Sequence, residues 1–118
     1  MKRDMELIRK ILLVVESGQT NSSIDGYDDN TVKYHKALVI EAGLAEGSVT
    51  PNHTGNREIP AFVMLKKLTW SGHDFIDAIA SDSNWSKVKN LLQDAGKQLT
   101  IETIKVAVTQ LFGFDIST

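Results

Sequence analysis

Apolar residues recur at three- and four-residue spacings through Met5, Ile8, Ile11, Leu12 and Val15, which predicts an amphipathic helix from about Asp4 to Glu16. Lys2, Arg3, Arg9 and Lys10 lie off that stripe, and Gly18 is the expected stop. The period is lost from Gln19 to Gly26, a polar, turn-rich stretch with Ile24 as its one strong apolar anchor. It resumes after Asp28 and Asp29, either of which can cap a helix. Val32, His35, Val39 and Ala42 then share one face, with Tyr34 and Leu38 beside it. Gly43 suits the left-handed turn that ends such a helix, and Leu44 folds back behind it.

Strand-like runs follow, Leu44–Thr50 and Ala61–Leu68. The segment Pro51–Pro60 between them is too long for a two-residue turn, and its prolines keep it out of a ladder, so it reads as an extended hairpin tip. Three helices complete the pattern. Thr69 caps one from Trp70 to about Ala80, with Phe75, Ile76 and Ile79 inward. Ser83 is the expected cap of the next, which runs through Ala95 with Trp85, Val88, Leu91 and Leu92 inward. Thr100 caps the last, through Phe112, with Ile104, Ala107, Val108 and Leu111 as its stripe and Gly113 as its stop. Trp70, Trp85 and Phe75 lie near apolar stripes and are expected to pack in the interior, not to form a stacking platform for bases. Gly72, in a first helical turn, predicts close approach of another element.

The chain has 118 residues, 42% hydrophobic and 24% charged, the composition of one soluble domain. It reads as a single domain over 1–118, with a core in 1–82 and a helical extension in 83–118. Without cysteine it has no disulfide scaffold, thiolate metal site or cysteine nucleophile. The longest apolar run, Ile11–Val15, is too short to cross a bilayer, and Asp4, Glu6, Arg9 and Lys10 interrupt any signal-peptide core. A cytoplasmic protein without membrane contact is the expectation.

A helix, a loop, a second helix, a long-tipped hairpin and a further helix follow the order of a winged helix whose scaffold helix is reduced or missing. The expected fold class is therefore α+β, a winged-helix-like domain with additional C-terminal helices. The stretch Thr31-Val32-Lys33-Tyr34-His35-Lys36-Ala37-Leu38-Val39-Ile40-Glu41-Ala42-Gly43-Leu44 resembles the recognition helix and first wing strand of many bacterial winged-helix regulators. Leu68-Thr69-Trp70-Ser71-Gly72-His73-Asp74-Phe75 resembles the end of the wing in the same group. Over nearly its full length the chain is similar to an uncharacterised phage and prophage family, domain of unknown function 2513. That resemblance rests on the opening Met1–Leu12, on Tyr34-His35, on Glu41–Leu44, on Leu68–Ile79 and on Trp85–Lys89. It implies no known activity. Lys36 departs from the pattern, standing where such strings carry an apolar residue after the histidine.

If the second helix reads DNA, Asn30, Lys33, Tyr34 and Lys36 are the side chains placed to do so, with His53 and Arg57 on the tip and Lys66 and Lys67 on the second strand. Charge argues the other way. Thirteen Lys and Arg face fifteen Asp and Glu, a formal charge of −2. Residues 1–50 and 71–118 each carry −2, and only 51–70 is basic, at +2. The helix also opens on Asp28 and Asp29, which repel phosphate. The preferred reading is a small regulatory or adaptor protein that works through protein contacts, with a sequence-specific DNA-binding regulator as its alternative.

Catalytic chemistry finds little support. His73 and Asp77 lie one turn apart and could offer two metal ligands, but no third completes a known spacing. His35, on an apolar helix side, reads as a hydrogen-bonded residue at the edge of the core. There is no Gly-x-Ser-x-Gly elbow, glycine-rich phosphate loop or His-Glu-x-x-His pair. No catalytic residue, metal, cofactor or small-molecule substrate is implied. The surplus of apolar residues at Leu91, Leu92, Val106, Val108, Leu111, Phe112, Phe114 and Ile116 suits a helical pair that either completes the monomer core or dimerises, and a protein partner or a homodimer is the expectation.

Overall fold

A computed structural model describes residues 1–20, 23–55 and 57–113. The first helix, α1 (Met5–Glu16), is opened by Asp4, whose carboxylate accepts the N–H groups of Glu6 and Leu7. Its buried face is broader than the predicted stripe. Leu7 is fully buried with Ile8, Ile11, Leu12 and Val15, and Arg9, expected outside, is buried as well. Each such aliphatic side chain contributes about 1.5–3 kcal/mol by leaving water.

The second helix, α2 (Asp29–Glu41), is capped by Asp28, which accepts the Thr31 N–H at 2.7 Å. That hydrogen bond holds the Asp28 carboxyl below its ordinary value. Val32, His35 and Val39 face inward as the period predicts, but Ala42 is exposed, because the helix ends at Glu41 and Ala42 is its C-cap. Gly43 takes the left-handed turn, at φ +75°. His35 Nε2 accepts the Asp4 N–H at 2.8 Å, while Nδ1 lies 2.8 Å from the Thr31 carbonyl oxygen. A carbonyl can only accept, so the proton sits on Nδ1 and the ring is the neutral imidazole. Both ring nitrogens are thus satisfied inside the core, and α1 is tied to α2 where α1 begins.

Strands β1 (Ala45–Thr50) and β2 (Phe62–Leu68) pair antiparallel, with a bulge between Glu46 and Gly47. The Ala61 N–H closes the tip by donating to Thr50 O at 2.9 Å, so both prolines stay outside the ladder as expected. The third helix, α3 (Trp70–Ile79), begins beside the base of this hairpin. Thr69 Oγ1 donates to Gly43 O at 2.6 Å and accepts the Gly72 N–H at 3.0 Å. A Cβ on Gly72 would lie 1.8 Å from the Leu44 carbonyl oxygen, so the expected close approach is of backbone against backbone. Phe75 and Ile76 are fully buried, but Trp70 is 89% exposed and does not join the core. On a helical wheel it stands nearly opposite the stripe of Gly72, Phe75, Ile76 and Ile79.

The last two helices are α4 (Asp82–Asp94) and α5 (Ile101–Phe112). Ser81, not Ser83, caps α4 by accepting the Asn84 N–H at 3.0 Å. Ser83 lies within the first turn, and the preceding Asp82 supplies the acidic residue that suits the positive end. Thr100 caps α5 reciprocally: its hydroxyl accepts the Thr103 N–H, and Thr103 Oγ1 accepts the Thr100 N–H. Trp85, Val88 and Leu92 are buried on α4, and Ile104, Ala107 and Val108 on α5, while Leu111, at the end of the expected stripe, is exposed.

The chain divides into two compact units, Met1–His73 and Asp74–Thr118, with the boundary inside α3. The result is a mixed α+β protein of five helices and one two-stranded antiparallel sheet among the described residues. None of these helices is long and apolar enough to cross a membrane. Phe114 and Ile116, counted in the apolar surplus, lie outside the described residues.

Candidate interaction face on the hairpin

Within the first unit α2 packs against both strands, and the register fixes what the hairpin shows to solvent. Leu65 is buried, so alternation along β2 turns Phe62 and Met64 outward. Phe62 is 57% exposed and Met64 43%, opposite Thr50 and Ser48 on β1. Phe62 also edges a groove of about 310 Å³ between β2 and the first half of α2, walled by Val32, Val63 and the stems of Lys33 and Lys36. The outward face and the groove therefore meet at Phe62 in a mainly apolar surface, whose margin carries Lys33, Lys36 and Asp29.

The eight residues singled out for DNA contact are spread over α2, the hairpin tip and β2. Asn30 is exposed in the first turn of α2, and Tyr34 is half-buried, its ring edge-on to His35. Lys33 turns toward the hairpin, where Nζ donates to the Ala61 carbonyl at 3.3 Å. Lys36 is half-buried in the groove, and burial lowers its ammonium pKa while the Asp29 carboxylate partly opposes that shift. Its departure from the apolar family pattern thus has a place: the stem lines the groove. His53 and Arg57 are exposed on the tip. Lys66 and Lys67 are both exposed, Lys66 being the extra residue of the bulge between Leu65 and Lys67, and Lys67 pairs with Glu46 at 3.7 Å. The structure brings Lys33 and Lys36 together with Phe62, and it separates Lys67 from them.

Sequence reasoning missed Phe62 and Met64 as surface residues. The signal was present in the alternation around Leu65, since a strand with one buried face must expose its other side chains. It also missed Trp70, which borders an open hollow of about 510 Å³ with Glu46, Lys67, Thr69 and His73. His73 and Asp77 are both exposed, and among the described residues no group of three or more His, Cys, Asp or Glu is placed to hold a metal. His35 is occupied at both nitrogens and has no acceptor or donor left for a substrate.

No solved structure matches the chain. A relative from Haemophilus influenzae, named only as an uncharacterized protein, is 34% identical over 111 residues, covering 89% of this chain and 90% of the relative. The family described as "Hypothetical protein (DUF2513)" matches residues 2–98, which span α1 through α4 and so include the whole helix–hairpin unit. The chain belongs to that family.

Proposed function

We propose that this chain is a small, non-enzymatic regulatory or adaptor module that works through protein contacts and docks its partner on the outward face of the hairpin. The observation that carries this reading is the exposure of Phe62 and Met64 on one face of the part of β2 that pairs in unbroken register with β1. Aromatic residues and methionine mark the centres of protein interfaces, and exposed charge belongs at their rims. Lys66 is exposed at the bulge, and Lys33 and Lys36 border the groove beside Phe62. Residues 51–70 are the one basic stretch of an acidic chain, so the fitting partner surface is apolar and edged by carboxylates.

The alternative is a winged helix that reads DNA, favoured by exposed Asn30 on α2 and exposed His53 and Arg57 on the tip. DNA interfaces are far more positive than this one. Lys33 is turned to Ala61, Lys36 is drawn into the groove beside Asp29, and Lys67 is paired with Glu46. A phage or prophage origin rests on the resemblance carried by Met1–Leu12, Tyr34-His35, Glu41–Leu44, Leu68–Ile79 and Trp85–Lys89, and accompanies either reading.

The test is selection of a displayed random-peptide library on the wild type and on Phe62→Ser/Met64→Ser. The expected result is enrichment of peptides with apolar residues flanked by Asp or Glu, bound about tenfold or more weakly by the double variant. Failure to enrich any peptide, or binding untouched by the double variant, overturns the reading.

A further inference from the structure

The second unit carries a surface that the hairpin reading does not use. Helices α4 and α5 are joined by a short connection and lie as antiparallel neighbours. On one side they leave a groove of about 220 Å³, floored by Leu92 and Ala107 and walled by Leu91, Ala95, Val106 and Gln110. Val106 is 53% exposed, and it lies well off the stripe of Ile104, Ala107 and Val108 that α5 buries. Packing within one chain therefore leaves it in water.

The walls of this groove are uncharged along its length, and its two charges sit together at the end where α4 passes into α5. They are Lys97, just past α4, and Glu102, in the first turn of α5. Neither has an ion-pair partner among the described residues. One unpaired cation and one unpaired anion beside the same apolar groove are self-complementary. A two-fold axis running along the helices sets each α4 against α5 of a second copy, antiparallel, and brings Lys97 opposite the other copy's Glu102 twice. An axis across the helices would set the connecting loops at opposite ends and leave all four charges unmatched.

We propose that the α4–α5 hairpin is a homodimerisation element, closing on a second copy of itself as a four-helix bundle with Val106 at its centre and Lys97–Glu102 pairs at one end. The occupant is a second copy because the charges that frame the groove complement each other. The proposal does not depend on what the β-hairpin binds.

Sedimentation of the full chain from low-micromolar to near-millimolar concentration tests it, with circular dichroism confirming that each variant is folded. The wild type is expected to dimerise reversibly. Val106→Glu, at an exposed position, keeps the fold and weakens the dimer about a hundredfold by placing two carboxylates in an apolar interface. Lys97→Glu sets like charges together at both symmetric sites and weakens it about tenfold. Lys97→Glu/Glu102→Lys restores opposite pairs and recovers the dimer to within about threefold of wild type. A wild type that stays monomeric overturns the proposal, as does a dimer unaffected by Val106→Glu. Loss of dimer in the charge-swapped double variant as great as in Lys97→Glu overturns it too, since that excludes the pairing on which it rests.

Discussion

The two units of this chain are held in different ways. In the first, the decisive ties join residues far apart in sequence: His35 to Asp4 across 31 positions, and Thr69 to Gly43 across 26. In the second, the ends of α4 and α5 are fixed by neighbours: Ser81 with Asn84, Thr100 with Thr103, and the Asn84 amide with the Ala78 carbonyl at 3.3 Å. A structure made of distant ties is damaged at once by losing one of them. A structure made of local caps loses stability in small steps. The hairpin that presents Phe62 and Met64 belongs to the first kind, so its display surface depends on residues that never touch a partner.

The harshest way to break the first unit is Gly72→Ala. The added Cβ would lie 1.8 Å from the Leu44 oxygen and 2.8 Å from its carbonyl carbon, both backbone atoms that cannot swing aside. Thermal or urea unfolding is expected to show a loss of about 3 kcal/mol or more. His35→Ala follows, at about 2–4 kcal/mol, because it opens a cavity and leaves the Asp4 N–H without its acceptor. Hydrogen exchange should rise first at the start of α1, where that tie is made.

Local caps and exposed side chains, in either unit, answer more gently. Thr100→Ala removes the cap of α5 and is expected to cost about 1 kcal/mol, with fraying confined to its first turn by amide exchange. Trp70→Ser, on a side chain almost wholly in water, should change stability by less than about 0.5 kcal/mol. The smallest effect is one of pH. The Asp28 carboxyl titrates lower in the folded chain than in the unfolded one, so its contribution is complete above its ordinary value of 3.8. That contribution fades as the pH falls through the lower folded value. Asp28→Asn, which keeps a capping oxygen but has no charge to lose, is expected to flatten that part of an acid unfolding curve.

Much of the fold was legible because each helix announces itself twice, by an apolar period and by a cap. Asp4, Asp28, Thr69 and Thr100 are all cap-type residues just ahead of an apolar stripe, and all four serve at the expected ends. The start of α4 was misplaced because Ser81, Asp82 and Ser83 are all competent caps, and only the backbone decides among them. Trp70 was misread because its large apolar surface suggested burial, whereas its angle on the helix sets it away from Phe75 and Ile76. His35 was legible as a satisfied core histidine, but its partner was not, since nothing local marks the Asp4 N–H as the donor. The candidate face was half legible. The net-basic stretch 51–70 located it, but the residues that define it are Phe62 and Met64, and these emerge only once the strand register is known.

The central claim is that the hairpin meets protein and not DNA, and the most direct measurement compares both ligands on one footing. A labelled acidic, apolar peptide from the library selection and a labelled DNA duplex are titrated at low ionic strength against the wild type and against Phe62→Ser/Met64→Ser. The account predicts that the peptide binds the wild type and loses about tenfold or more in the variant, while the duplex binds neither protein appreciably. Tight duplex binding that falls steeply with added salt and ignores the two substitutions would contradict it.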